Sequence, residues 1–296
     1  MSQARVGVSG WRYPRWRGDF YPKGLRQKDE LHYAAERMTS VEINGSFYSL
    51  QRPTSYEAWR DATPDGFVFA VKGGRFITHL KQLRDVETPL ANFFASGVLT
   101  LGDKLGPILW QLPERTRFDP ERLAAFFELL PRTTTAAAEL AERHNDKVPD
   151  DRATTAALTH HRIRHALEPR HESFDTADAR AFLAEHDICT VVADSAGRWP
   201  QLHDATSDFR YVRLHGETEL YASGYTDDSL DRWAAQVNRW LADGHDTYVY
   251  FDNDAKGHAP HDAVALLDRL DRLDRLPAST TSRATDDEPS HDSDGT

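Results

Sequence analysis

Residues 248–263, YVYFDNDAKGHAPHDA, begin as a run of aromatic and β-branched side chains and pass, with no turn residue between, into Asp252, Asn253 and Asp254. Such a run reads as a buried strand, because these side chains pack well on a pleated, covered surface. The polar triplet marks the point where the strand emerges. A fold in which many strands emerge this way has a polar mouth.

Working outward, apolar runs bounded by turn signals predict eight strands, at residues 6–9, 40–44, 67–72, 107–112, 164–168, 189–194, 211–214 and 247–251. Helical periodicity lies between most of them, at 29–38, 54–62, 86–105, 119–130, 175–187 and 227–244, and a last helix follows at 261–273. Several of these begin at Asp, Ser or Thr, which are favoured N-caps, and Gly244 is a natural helix stop. This alternation predicts an α/β fold, a single (β/α)8 TIM-type barrel. An open doubly wound sheet is the alternative, but it calls for a glycine-rich phosphate turn after the first strand, and VSGWRYPRWRG (8–18) lacks the GxGxxG spacing. The barrel is expected over residues 1–276. An insertion with one short helix is expected at about 133–162, and residues 277–296, without large apolar side chains, read as a disordered acidic tail.

The composition, 39% apolar and 10% aromatic, is that of a globular chain, and no run of about 18 apolar residues suggests a membrane span. One cysteine, Cys189, excludes an internal disulfide framework and suits a reducing compartment, so a cytoplasmic location is expected. Cys189 lies in an apolar strand and reads as core packing rather than as a nucleophile. The net charge of −11 argues against a surface broadly adapted to phosphate backbones. With 7 Lys and 29 Arg against 31 Asp and 16 Glu, the surface resembles that of proteins from salt-loving organisms, where screening weakens the charge argument.

Barrel chemistry sits at the C-terminal strand ends. The residues expected there are Trp11 and Tyr13, Glu42, Asn44 and Tyr48, Lys72 and His79, Gln111, Glu168, Arg170 and His171, Asp194, Arg213 and His215, Tyr225, and Asp252 with Asn253. Period-two alternation puts Glu42 with Asn44, Glu168 with Arg170, Arg213 with His215 and Tyr250 with Asp252 on shared faces. Four carboxylates (Glu42, Glu168, Asp194, Asp252) then meet three fixed cations (Lys72, Arg170, Arg213), a near-balance that suits acid/base chemistry better than an obligate metal site. No cofactor is expected, with a divalent metal left open. The same charges could instead be a structural salt-bridge network. The loop WRYPRWRGDFYP (11–22) interleaves aromatics with arginines. It could stack on bases or sugars, or pack over the first helix. His160 and His161 read as a solvated helix end.

The motifs VGVSGWRYPRWRGDFYP, VEINGSFYSL, FVFAVKG, LGPILWQLP, LEPRHESF, VADS, YVRLHG…YASGY and YVYFDNDAKGHAPHDA, spread from about residue 6 to 273, resemble in order those of the YecE-like family, domain of unknown function family 72. The resemblance implies a TIM-type barrel but no known reaction. That barrel is similar to those of the sugar-isomerase and apurinic endonuclease group, which implies sugar or phosphodiester chemistry by fold analogy only. Members of that group hold metals with His and acidic ligands, whereas this chain carries Lys72, Arg170 and Arg213 in the mouth. The family's usual Glu-Val-Arg-His stands here as Glu168-Pro169-Arg170-His171.

These observations lead to an expected enzyme, a hydrolase or isomerase, using acid/base chemistry on a polar or anionic small molecule such as a sugar or phosphate ester. Lys72, Arg170 and Arg213 would grip the anion, Glu168 or Asp252 would act as base, and His215 as acid. A nucleic-acid-binding barrel or phosphodiesterase is one alternative. A non-catalytic ligand-binding barrel is the other. No membrane partner is expected, and the oligomeric state is left open.

Overall fold

Eight parallel strands pair in chain order and the first closes on the last: β1 (Ala4–Ser9), β2 (Ser40–Ile43), β3 (Val68–Lys72), β4 (Leu105–Gln111), β5 (His165–Glu168), β6 (Cys189–Asp194), β7 (Phe209–Leu214) and β8 (Asp246–Phe251). The computed structural model describes residues 2–274, and this ring is the expected (β/α)8 TIM-type barrel. The expected tail at 277–296 lies outside the described residues.

Alternation along each strand divides the core in two. Ala70, Leu109, Ala166, Cys189, Val191, Phe209, Tyr211, Tyr248 and Tyr250 form a compact interior cluster, while Val8, Val41, Val71, Ile108, Leu167, Val192, Val212 and Phe251 pack under the helices. Gly7 allows the closest approach, since a Cβ there would lie 1.8 Å from the Ser40 carbonyl oxygen on β2. Cys189 is fully buried in the interior, and burial raises its thiol to about 12.

Helices at Glu30–Ala35, Pro53–Asp61, Pro120–Glu128, Ala177–Glu185, Asp227–Ala242 and Ala259–Asp274 lie close to their expected positions. Asp119, Thr176 and Thr226 cap three of them by accepting the Arg122, Ala179 and Ser229 amides. The long helix expected at 86–105 is instead two elements, an α-helix at Glu87–Ala95 and a 3-10 segment at Val98–Lys104, because Gly97 takes a φ of 116° between them. Within 133–162 the expected short helix forms at Thr134–Ala141. His160 and His161 are not a helix end: they precede an antiparallel bridge between Thr133 and Arg162 in irregular backbone. No helix occupies the β6–β7 connection among the described residues, and that irregular loop delivers Trp199 to the mouth.

Candidate functional site

Arg213 is the centre of the mouth. It points inward from β7, two residues beyond Tyr211, with no exposed surface, and its guanidinium is saturated by carboxylates. Nε and Nη2 donate to Glu42 of β2 (3.1 and 2.8 Å), Nη1 to Glu168 of β5 (2.8 Å), and Nη2 also to Asp252 after β8 (2.9 Å). Glu42 further accepts from Ser9 Oγ (2.7 Å) and Tyr211 Oη (2.6 Å). Burial alone would depress Arg213, but Glu42, Glu168 and Asp252 together hold it well above its usual value. An ion so paired stays charged.

His215 follows on the same face and sits between two acids. Its Nε2 is 3.3 Å from Glu168 Oε1 and its Nδ1 3.2 Å from Asp252 Oδ2. Arg170 donates to the same Glu168 oxygen (2.9 Å) and lies 3.7 Å over the Trp199 ring. Burial pushes Glu168 and Asp252 up, yet their charged and hydrogen-bonding partners prevail. Arg170, then Arg213 and His215, keep Glu168 well below the carboxylate range, and Arg213, His215 and Lys72 bring Asp252 to about 2.

Lys72 is different. It ends β3 on the inward face, is 7% exposed, and its ammonium has no ion pair or hydrogen bond among the described residues. It rests 4.4 Å over the Phe47 ring, whose edge also meets His79 at 5.2 Å. Burial, then the Arg213 charge, lowers Lys72 to about 8. Burial and the nearby Lys72, Arg170, Arg75 and Arg115 charges lower His79 to about 4, so its imidazole is neutral at pH 7. His79 lies on a single π-helical turn, Phe76–Leu80, with Gln111 Nε2 3.5 Å from its Nε2. Such turns recur at functional sites.

The structure therefore brings together Glu42, Lys72, His79, Gln111, Glu168, Arg170, Arg213, His215 and Asp252. It separates others. Asp194 shares the outward face with Val192 and lies against Tyr225 and Trp233 under the helix Asp227–Ala242, where burial raises its pKa. Without it the mouth balances three carboxylates against Lys72, Arg170 and Arg213, not four against three. Asn253 also faces outward, donating to Ser223 O and Asp262 Oδ2, and fastens β8 to the loop after β7. Tyr225 is buried against Phe251, with its hydroxyl accepting the Gly216 amide; Tyr221, with its ring 5.4 Å from His215, is the tyrosine of that loop that reaches the mouth. His171 Nδ1 accepts the Ser173 amide as the cap of a 3-10 turn.

In loop one, Trp16, Phe20 and Tyr21 are buried in the core, and Arg17 pairs with Glu30, so much of the loop packs over the first helix. Trp11 is buried edge-on to Trp59 (5.2 Å), and Tyr13 donates to the Ser9 carbonyl (2.5 Å). Together with Asn44, whose side-chain oxygen is buried without a partner, they line a side cavity of 280 Å³. Tyr48 stands on the rim, 70% exposed. Sequence reading missed Ser9, Phe47, Trp199 and Tyr211 as site residues. Tyr211 had a signal, two residues before Arg213 on the same strand face. Trp199 had none, because an irregular loop carries no periodicity.

Among the described residues no group of three or more His, Cys, Asp or Glu side chains is arranged to hold a metal ion. The acids that would do so are each in contact with Arg213.

Fold and mouth together define a TIM-type barrel protein with a buried, arginine-centred ionic network. The chain belongs to the family described as protein of unknown function DUF72, whose model matches residues 5–286. It is 22% identical to the UPF0759 protein YunF of Bacillus subtilis (strain 168) over 289 residues, 90% of this chain and 94% of that protein. It is 29% identical to the UPF0759 protein YecE of Escherichia coli (strain K12) over 125 residues, so the match spans 42% of this chain and under half, 42%, of that relative. A DUF72 family protein from Thermotoga maritima MSB8 superposes with a TM-score of 0.73 at 26% identity, covering 91% of this chain and 99% of that one. A second, from Enterococcus faecalis V583, shares the fold at a TM-score of 0.69 and 16% identity, covering 91% and 96%.

Proposed function

We propose that the chain is an enzyme that carries out acid/base chemistry on a small anionic molecule, such as a sugar or phosphate ester, at the barrel mouth. The observation that carries this reading is that Arg213 binds all three carboxylates while Lys72 is left outside the network. Among the described residues, Lys72 is the mouth cation that no carboxylate contacts, and an anion is the natural partner of an ammonium so placed.

The roles expected from sequence change accordingly. Arg213 has no donor to spare and serves as the frame. Glu168 and Asp252, held ionised by cations, are weak bases at pH 7. Lys72, lowered to about 8, exchanges its proton near neutrality, which suits transfer at physiological pH. Arg170, stacked on Trp199, borders an open cleft of 490 Å³ with Tyr221 and Glu114, and is the second contact for an anion.

The test is ligand binding followed by Trp199 fluorescence and thermal shift, using sugar phosphates, inorganic phosphate and the matching neutral sugars. Anionic compounds should bind and neutral ones should not, with Lys72→Met and Arg170→Ala each weakening binding at least tenfold. Equal binding of neutral sugars overturns the reading.

A second reading, a nucleic-acid-binding barrel or phosphodiesterase, is favoured by the exposed Tyr48 and Phe76 on the rim, 70% and 51% exposed, which could stack on bases. Binding of a single-stranded oligonucleotide that weakens steeply with salt would support it over the first.

A further inference from the structure

From the placement of Lys72 we infer that it is a nucleophile, which forms an imine with the aldehyde or ketone carbon of an anionic carbonyl compound, an oxo acid or the open-chain form of a sugar phosphate. The inference rests on the proposed function for its anion and adds the carbonyl.

Three features of the site carry it. A lysine serves as a structural ion when a carboxylate holds it, and here every nearby carboxylate is engaged by Arg213, which leaves the Lys72 ammonium with no ion pair or hydrogen bond among the described residues. Its position is also defined: Lys72 ends β3 on the inward face, is 7% exposed, and its Nζ rests 4.4 Å over the Phe47 ring. Finally, the side it rests against is apolar or neutral, made by Phe47, with the His79 imidazole packed on that ring and Gln111 next to His79.

A nucleophilic amine needs this environment, in which a desolvated pocket and a neighbouring cation disfavour the ammonium. The Arg213 guanidinium is that cation, and with Lys72 at about 8 the neutral amine is roughly a tenth of the population at pH 7. The other lysines differ. Lys104 is tied to the Arg60 and Thr63 carbonyls, Lys81 pairs with Asp85 and Lys256 with Glu219, and Lys23, Lys28 and Lys147 are exposed.

The step balances without a further reactant. The neutral Nζ lone pair attacks the carbonyl carbon, a C–N bond forms, and the C=O π pair moves to oxygen. That oxygen gains one proton as the nitrogen loses one, giving a carbinolamine. The C–O bond then breaks as the hydroxyl, protonated from solvent, leaves as water and the nitrogen lone pair closes the C=N bond, giving a protonated imine that hydrolysis reverses. The imine nitrogen draws electrons from the adjoining carbon, which makes a C–H there acidic.

The test incubates the full chain at pH 8 with glyoxylate, an aldehyde bearing a carboxylate, and sodium cyanoborohydride, then maps the carboxymethylated lysines by peptide mass spectrometry. Of the 7 lysines, Lys72 should be labelled at least tenfold faster than exposed Lys147, and inorganic phosphate should slow that labelling. Acetaldehyde, which lacks the anion, should show at most a small preference. Lys72→Arg should bind inorganic phosphate, read by thermal shift, while gaining no label in the mouth. Labelling of Lys72 no faster than Lys147, with phosphate still bound, overturns the imine and leaves the acid/base reading intact. Neither labelling nor phosphate binding overturns both.

Discussion

Replacing Lys72 with methionine should make the protein more stable, and the amount follows from its surroundings. Lys72 is 7% exposed, with no carboxylate in contact, and its pKa falls from 10.5 to about 8. Each tenfold change in proton affinity corresponds to about 1.4 kcal/mol, so keeping this ammonium charged in the folded state costs about 3 kcal/mol below pH 8. As pH falls from 10.5, the unfolded chain takes up the proton first, and stability drops until the folded chain takes it up near 8. Above 10.5 both states are neutral and the penalty vanishes. Methionine has a similar length and no charge, so it removes the penalty while keeping the contact with Phe47. Urea denaturation of the two proteins should therefore separate them by about 3 kcal/mol at pH 7, roughly 6–10 °C in Tm for a chain of this size, and the gap should close as pH approaches 10.5. A methionine variant no more stable than the parent at pH 7, or a gap independent of pH, would refute the argument that this lysine is buried at the expense of the fold. A residue that destabilises its own fold is one that stability alone does not explain.

Arg213→Met removes the partner of two buried carboxylates, Glu42 and Glu168, and of the partly exposed Asp252, and should lower stability by about 3–5 kcal/mol in urea, more than any surface arginine substitution, because unpaired buried charges remain; a loss under about 1 kcal/mol would mean the network does not hold the mouth together. Asp252, lowered from 3.8 to about 2, contributes stability that is fully present above about pH 5 and lost as pH falls toward 2, on the order of 2 kcal/mol. Asp252→Asn should therefore flatten the acid limb of a circular-dichroism titration, and an unchanged limb counts against the pairing. Elemental analysis of protein purified without chelator should find less than about a tenth of an equivalent of Zn or Mn. A full equivalent that disappears in Glu168→Ala, Asp252→Ala protein would overturn the metal-free reading.

The periodic parts of the chain were legible. Strand existence, barrel closure and the inward residues Glu42, Lys72, Gln111, Glu168, Arg213 and Asp252 follow from apolar runs and period-two alternation, since a strand shows its two faces directly in sequence. Asp194 shows where that reading fails. It ends a strand as Glu168 does, but its position along β6 puts it beside Val192 under the helices. Parity had to be counted from interior Val191, not from the strand's end. Asn253 fails in the same way, one residue past Asp252. The split helix at Gly97 was missed because an apolar pattern continues across a residue that only its backbone angle interrupts.

The sequence by itself determined the alternation, the closure of the sheet and the kinds of charge at its mouth, because these depend on local periodicity and side-chain chemistry. Only the tertiary structure decided which charges meet. Glu42 and Arg213 are 171 residues apart, and their pairing excludes Lys72 from the network. Which acids a buried guanidinium takes, and which cation is left over, depends on distances of a few ångströms across a closed barrel, and no local pattern in the chain encodes them.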